Sequence, residues 1–403
     1  ITWIRHLIMS SSTVNHPRSA IFGLIGLMLV ALNLRPALTS VGPLLRTIGD
    51  SLALSSTEQG VLTTLPVLFL GLAAPLAPRL ARTLGIERAV LVALLVLALA
   101  LFVRPYTGVI GLFIGTVFAG GCIGIAGVLL PGLVKRDYPS HASLLTGVYT
   151  AALCLGAALA AGASEPLRQF LTSDWRPALA FWMIPAVIAA MAWWAQLNGK
   201  HVPKEPASVP AKSLYRDKLA WQIAFYMGLQ SSLAYTVFGW LPTILQDRGF
   251  DAVDAGLAVS VSIMVQVITA ITAPWVASYM RDQRAMILLV MTLTLAGLGG
   301  SIYGRSEDVW VWVVALGLGQ GGGFSMALTL LAIRARDADT AARLSGMAQS
   351  FGYSMAALGP LLLGVLHGMT GDWQVAGIFL MLVGLGAVVA GMGAGRNLYV
   401  LDD

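Results

Sequence analysis

Charged residues are scarce in this chain of 403 residues. Lys, Arg, Asp and Glu together make up 11% of the sequence, whereas they make up about a quarter of a typical soluble protein. Hydrophobic residues make up 57%, and the mean hydropathy is +0.79. These proportions exclude an ordinary soluble protein. They predict a polytopic membrane protein, whose surroundings are the lipid bilayer.

Cysteine is nearly absent, and no acidic residue lies in the middle of an apolar stretch. Cys122 and Cys154 both lie inside apolar stretches, so neither a disulfide framework nor a metal site is predicted, and we expect no cofactor. Glu58 and Glu165 are the deepest carboxylates, and both lie towards span ends. Catalysis needs converging acids, bases or metal ligands. The dispersed pattern therefore argues against an enzyme.

The lack of acidic residues and histidines in the middle of the apolar stretches also bears on how transport could be driven. A proton-driven antiporter commonly has an acidic residue or a histidine embedded in the membrane. His141 and His367 lie at the ends of apolar stretches, where an interfacial position is more typical than a proton relay. We therefore favour facilitated movement of a small anion, with or without a proton carried on the substrate's own acid form.

Apolar stretches of helix length occur twelve times. They lie at about 20 to 46, 57 to 80, 87 to 104, 108 to 134, 141 to 171, 176 to 197, 219 to 246, 251 to 280, 284 to 304, 307 to 336, 340 to 370 and 373 to 395. Five basic residues and three prolines lie between the sixth and seventh stretches, which is typical of a solvated linker.

The basic residues indicate the orientation. Most of the 25 Lys and Arg residues fall in the tails and in alternate loops, which predicts that both termini are cytoplasmic. They form no continuous patch, so the net charge of +6 does not indicate a nucleic-acid partner. Arg46 and Arg104 are assigned to outer loops.

Short motifs recur at one offset in the two halves. Leu145-Thr146-Gly147 and Leu344-Ser345-Gly346 correspond at 199 residues, and Arg136-Asp137 and Arg336-Asp337 correspond at 200. Transporters are often built from duplicated halves. We predict an all-α membrane protein of two six-helix bundles, similar to the major facilitator fold. The predicted parts are a tail (1–19, with 1–8 interpreted as a scar or misassigned start), a bundle (20–197), a linker (198–218), a second bundle (219–395) and a tail (396–403).

Arg35 stands inside the first apolar stretch, a little past its midpoint. A guanidinium there costs from about 2.5 kcal/mol upward, so it must face protein, water or a ligand. One interpretation is a structural arginine bonded to helix-end carbonyls and Asn33. The other is a docking point for an anionic or strongly polar solute.

Depth in the spans selects polar side chains that could share a cavity with Arg35. The predicted substrate-binding residues are Arg35, Asn33, Tyr149, Gln230, Tyr235, Trp240, Gln266, Gln320 and Gln349. Amide and hydroxyl donors suit a carboxylate, cyanate or nitro group. For each polar residue the alternative is a hydrogen bond between helices without any ligand, and for Trp240 it is a membrane-interface anchor.

The loop after the second stretch, PLAPRLARTLGIER at 75 to 88, resembles the loop motif of major facilitators. Gly85 and Arg88 match that motif. Pro78 stands where the motif has its first Gly, and Arg82 where it has an Asp, so the charge lock that the resemblance implies is in doubt. Arg79, Arg82 and Arg88 could equally hold the loop on the cytoplasmic side.

A narrower resemblance covers both halves. LNLRPALTSVGPLL at 32 to 45, GVLLPGLVKRDYP at 127 to 139, GLQSSLAYTVFGWLPTILQDRG at 228 to 249 and TGDW at 370 to 373 are similar to motifs of the cyanate and 2-nitroimidazole transporter family. The resemblance implies a monomeric carrier of small solutes in the bacterial inner membrane. The predicted function is transport of a small anionic or polar solute by alternating access; the alternative is export of neutral aromatic compounds.

Overall fold

The computed structural model describes residues 17–137, 142–195, 197 and 214–402. Most of the predicted linker, most of the N-terminal tail and His141 lie outside these described residues. Two helices begin beside such gaps, and the bounds below are those of the described part.

The described residues form twelve spans, which we label α1 to α12, and no β-strand. They are α1 (Pro17–Asn33, Pro36–Thr39 and Val41–Leu52), α2 (Ser56–Ala73, Ala74–Leu76 and Ala77–Leu84), α3 (Ile86–Val103), α4 (Gly108–Asp137), α5 (Ala142–Leu171), α6 (Trp175–Phe181 and Met183–Trp194), α7 (Lys218–Asp247), α8 (Ala252–Ala277), α9 (Arg284–Tyr303), α10 (Val309–Ile333), α11 (Ala338–Ala356 and Leu358–Thr370) and α12 (Gln374–Ala394).

Eleven of these spans are long and apolar enough to cross a membrane. The span outside that group is α7, whose middle carries Gln230, Ser231, Ser232 and Thr236. All four side chains are buried among neighbouring helices, which explains how a less apolar helix can lie within the bilayer. The predicted multi-pass architecture is confirmed.

The spans pack into two groups of six. In the first group, α1 packs on α5 and α6, α3 on α4 and α6, and α2 on α4. In the second, α7 packs on α11 and α12, while α10 packs on α8 and α9. The two groups meet where α5 contacts α8, α2 contacts α11 and α1 contacts α7.

The two groups share one packing device. Gly120 and Gly124 of α4 bring that helix against the backbone of α2, and Gly317 and Gly321 of α10 bring that helix against α8. A Cβ atom at any of the four would lie within about 2.4 Å of a carbonyl oxygen of the facing helix. These glycines permit close helix approach, and their spacing of four residues is the same in both halves.

The groups are tightly joined at the end where α1 stops and α2 begins. There Gly42 lies against the backbone of Phe238, Gly60 against that of Pro360, and Gly256 against that of Ala161. Under the predicted topology this is the outer end.

The opposite halves of several helices are less tightly packed. A Cβ atom built at Gly127, Gly132, Gly147 or Gly346 would have no heavy atom of another segment within 4 Å. These four positions therefore lie on helix faces that no neighbouring segment covers, whereas α2 and α11 remain in contact at Gly71, where a Cβ atom would lie 3.1 Å from Tyr353.

Two arginines were assigned to outer loops. Arg46 instead lies within α1, which continues past the predicted end of the first stretch to Leu52, and it forms an ion pair with Asp247 of α7 across the two groups. Arg104 lies in the turn just after α3, where the third stretch was expected to end, but its side chain is completely buried. The predicted end of α1 was wrong because a partner on another helix lets the helix continue through a charged residue.

Candidate functional site

Proline explains the interruption of α1. Pro36 has no N–H group, so the helix that ends at Asn33 cannot continue its hydrogen-bond ladder, and a new turn starts at Pro36. Arg35 is the residue immediately before this turn, with φ −109° and ψ −23°. The interruption places its side chain at the boundary between the two helix groups.

A small cavity lies between the two groups at this level. Five spans contribute to it, and its walls combine one cation with amide, hydroxyl, thiol and aromatic side chains. The lining residues are Arg35, Thr150, Cys154, Ser231, Ala234, Tyr235, Phe238, Gln266, Ala270, Gln320, Gly321 and Phe324.

The Arg35 guanidinium is the cationic group of the cavity wall. No residue in the described part of the chain forms a hydrogen bond or an ion pair with it. Its guanidinium carbon lies 5.8 Å from the centre of the Phe324 ring, a distance typical of a cation–π contact. Phenol groups and a thiol, rather than carboxylates, are the titratable groups that interact with its charge.

A pair of amides stands on the C-terminal side of the cavity. Gln266 Nε2 donates a hydrogen bond to Gln320 Oε1 at 3.3 Å, which joins α8 to α10. The Gln320 side chain is 3% exposed, and its own Nε2 has no partner in the described structure. A buried unsatisfied donor is costly, and Gln320 also belongs to the lining of the cavity.

Aromatic rings complete the wall opposite α1. Tyr235 packs against Phe238 on α7, with ring centres 5.9 Å apart, and against Tyr353 of α11, with ring centres 6.2 Å apart. Flat ligands pack well between such faces. The wall therefore offers aromatic faces close to the cationic Arg35 guanidinium.

Five predicted residues lie outside the wall, and three of them are amides that form hydrogen bonds elsewhere. Asn33 Nδ2 donates to the carbonyl oxygens of Leu29 and Pro185, so it faces α6. Gln349 Nε2 donates to Ser345 Oγ on its own helix. Gln230 Nε2 donates to Met227 O and Ser231 Oγ and is buried beside the wall residue Ser231.

Trp240 belongs to another cavity. Its Nε1 donates to Pro360 O at 3.1 Å, and its ring lies 5.7 Å from that of Trp373. It borders a second, more open cavity nearer the closed end, lined by Arg46, Asp50, Ser56, Gln59, Trp240, Thr243, Asp247 and His367. Tyr149 is buried close enough to Arg35 to interact electrostatically with it.

The segment 75 to 88, predicted as a loop, is almost entirely helical. Arg79 and Arg82 lie in the last part of α2 and Arg88 in the first turn of α3, and all three are exposed. Gly85 separates the two helices at φ +85°, a conformation that favours glycine. In the same segment, Glu87 accepts a hydrogen bond from Arg136 of α4 at 2.7 Å. This pair joins helices of the same group.

The residues missed by sequence reasoning follow helical spacing from those that were selected. Phe324 is four residues after Gln320, Ala270 is four after Gln266, and Ser231 is four before Tyr235. Side chains at this spacing lie on one face of a helix. Depth alone had favoured polar residues and passed over their aromatic and small neighbours.

Comparison with known proteins agrees with this architecture. The profile described as Major Facilitator Superfamily matches residues 21–360. The chain belongs to the Major Facilitator Superfamily. It is a multi-pass membrane transporter and not an enzyme.

The similar curated proteins are bacterial transporters. The chain is 37% identical to the uncharacterized transporter YycB of Bacillus subtilis strain 168, over 94% of each chain. It is 34% identical to the 2-nitroimidazole transporter of Escherichia coli K12, over 96% of this chain and 99% of that one. It is 30% identical to the cyanate transport protein CynX of the same strain, over 90% and 94%. These matches confirm the resemblance drawn from the motifs.

Solved structures agree at the level of the fold. A bacterial homologue of the human lysosomal transporter Spinster, described as inward-facing and unoccupied, matches with a TM-score of 0.74. The match covers 96% of this chain and 99% of that one at 13% identity.

Proposed function

We propose that this transporter moves a small anionic or strongly polar solute, with Arg35 as its principal binding group. The observation that carries the proposal is a permanent cation in the cavity wall for which the described residues supply no carboxylate or backbone partner. An arginine kept in place by carbonyl oxygens would have its N–H groups satisfied by protein. Here those donors face the cavity, where they can make charge-assisted hydrogen bonds to a ligand.

Alternating access is the mechanism that the packing of the two groups supports. The groups are in contact at the end marked by Arg46 and Asp247, while helix segments of the opposite half are not closely packed. If the two groups rock about the central cavity, they would separate at the end that contains Arg46 and Asp247 and come together at the opposite end. In the predicted orientation, the conformation described here opens towards the cytoplasm.

A second candidate is export of neutral aromatic compounds such as nitroimidazoles. The specific observation in its favour is the aromatic wall of Tyr235, Phe238 and Phe324. One relative of this chain carries the name 2-nitroimidazole transporter. A nitro group could accept hydrogen bonds from Arg35 and Gln320, so both candidates use one geometry and differ in whether the ligand carries net charge.

We further propose the bacterial inner membrane as the location and a monomer as the functional unit. The cavity is formed by helices of one chain, so transport needs no second copy. A proton could be co-transported on the acid form of the substrate, since the described spans place no carboxylate in the cavity wall.

The test is uptake by purified protein in liposomes, measured with cyanate, a small carboxylate and 2-nitroimidazole. Arg35→Ala is expected to lower uptake of a transported anion by at least about tenfold, because hydrogen bonds to a charged group are lost. Arg35→Lys retains the charge but not the planar fork of donors and is expected to restore only part of it.

Arg305→Ala is a matched control, since it removes an arginine whose side chain is 76% exposed in a loop. Folded yield and thermal stability are measured for each variant. Wild-type anion uptake by Arg35→Ala would refute the proposal. If the wild type transports neither anion and Arg35→Ala loses transport of 2-nitroimidazole, the second candidate is favoured.

A further inference from the structure

Hydrogen bonds from three other helices of its own group hold the interruption of α1. Asn33 Nδ2 donates to Pro185 O of α6, and Thr39 Oγ1 donates to Ala157 O of α5, each at 3.0 Å. Arg104 Nη1, at the end of α3, donates to Ala37 O at 3.3 Å. These bonds lie on both sides of Arg35 and fix its backbone to the N-terminal group.

Arg104 is the unusual member of this set. Its side chain is completely buried, and in the described structure its Nε and Nη2 atoms have no partner. A buried charge without a counter-ion costs several kcal/mol. An arginine without a structural role in this turn would face solvent, because its charge would then remain hydrated.

The protein makes room for this side chain. Gly115 of α4 lies beside it, and a Cβ atom at that position would be 2.4 Å from the Cβ atom of Arg104. The only described acceptor that the guanidinium reaches is Ala37 O, two residues after Arg35. The contact is therefore specific to the backbone turn that presents Arg35.

We propose that Arg104 is a positioning residue for substrate binding. Its guanidinium holds the carbonyl of Ala37 and so sets the position of Arg35 in the cavity. The inference rests on the proposed function, in which Arg35 binds the substrate. Arg104 itself does not line the cavity, and it acts through the α1 backbone.

The first test compares Arg104→Leu with Arg104→Lys in liposomes. Only one nitrogen of Arg104 contacts Ala37, so a lysine can replace that hydrogen bond and keep the charge. Arg104→Leu is expected to raise the substrate concentration for half-maximal anion uptake by about tenfold, with a smaller change in maximal rate per folded molecule. Arg104→Lys is expected to restore most of the affinity. Loss of maximal rate without a change in half-saturation would contradict positioning.

The second test does not depend on a substrate. Cys122 and Cys154 are replaced by serine, Arg35 is replaced by cysteine, and the rate of labelling by a charged methanethiosulfonate is measured with Arg, Lys or Leu at position 104. The proposal expects similar rates with Arg and Lys and a rate changed at least about fivefold with Leu, since the loosened turn moves position 35. Equal rates in all three would overturn it.

The two tests separate the two proposals. Unchanged anion uptake by Arg35→Ala would contradict the proposed function. The labelling rates would then be the test of the role of Arg104. Reduced uptake by Arg35→Ala together with equal labelling rates would support anion binding by Arg35 and overturn positioning by Arg104.

Discussion

Gln320 offers a test of charge inside the cavity that preserves its shape. In Gln320→Glu, one oxygen still accepts the hydrogen bond from Gln266, while the unpartnered Nε2 becomes a negatively charged oxygen. Repulsion between like charges is expected to lower anion affinity by at least about tenfold. The loss for neutral 2-nitroimidazole should be smaller. Ligand-induced shifts in melting temperature report both affinities.

Gln349→Glu supplies the matched control for this change. Gln349 is half-buried on α11 and outside the cavity lining, so the same substitution there should leave anion binding within about twofold of wild type. Equal losses at positions 320 and 349 would mean that the effect comes from net charge and not from the cavity.

At the scale of single residues, depth in the sequence selected some side chains that line the cavity and others that face elsewhere. Arg35, Tyr235, Gln266 and Gln320 lie in the cavity wall. Asn33 faces α6. The helix is interrupted between Asn33 and Arg35, so similar depth does not give the two side chains the same direction.

At the scale of the helices, two glycines of α4 three residues apart should respond very differently to substitution. A Cβ atom at Gly124 would lie 2.4 Å from Leu70 O of α2, whereas one at Gly127 would have no other segment within 4 Å. Gly124→Ala is expected to destabilise the protein by about 1–3 kcal/mol through overpacking, and Gly127→Ala should leave stability almost unchanged. Thermal unfolding in detergent measures the difference, and equal melting temperatures would contradict the described α2–α4 contact.

Helix number and approximate bounds followed from the sequence because apolar length is a strong signal in a membrane protein. The end of α1 and the burial of Arg104 did not follow as well. Arg46 was taken to end the first helix, whereas α1 continues to Leu52 and Arg46 pairs with Asp247. Arg104 does lie in the turn after α3, but it is buried and donates a hydrogen bond to Ala37 O. Such partners are distant in sequence, so a local pattern cannot reveal them.

At the scale of the whole molecule, the sequence predicted two matched bundles because duplicated motifs survive at one offset. The asymmetry between the ends of the molecule was not predictable. Close contacts of Gly42 with Phe238, and of Gly60 with Pro360, depend on which conformation the bundles adopt. One sequence must support both arrangements for alternating access.

The closed end provides a direct test of that mechanism. A Cβ atom at Gly368 of α11 would lie 3.4 Å from the Cβ atom of Ser56 of α2, close to the separation found in disulfides. In a chain with Cys122 and Cys154 replaced by serine, Ser56→Cys with Gly368→Cys is expected to cross-link on mild oxidation. The bond would hold the two groups together at this end, so transport in liposomes should stop and return on reduction.

A cysteine pair at Gly147 and Gly346 is the control, because neither position has another segment within 4 Å in this conformation. That pair should not cross-link while the disulfide between positions 56 and 368 is intact. This disulfide keeps the protein in the conformation in which positions 147 and 346 have no neighbouring segment. Single-cysteine variants show whether either substitution alone impairs uptake. Quantitative cross-linking of positions 56 and 368 with undiminished transport would mean that this end need not separate, and rocking of the two groups could not then be how the solute crosses the membrane.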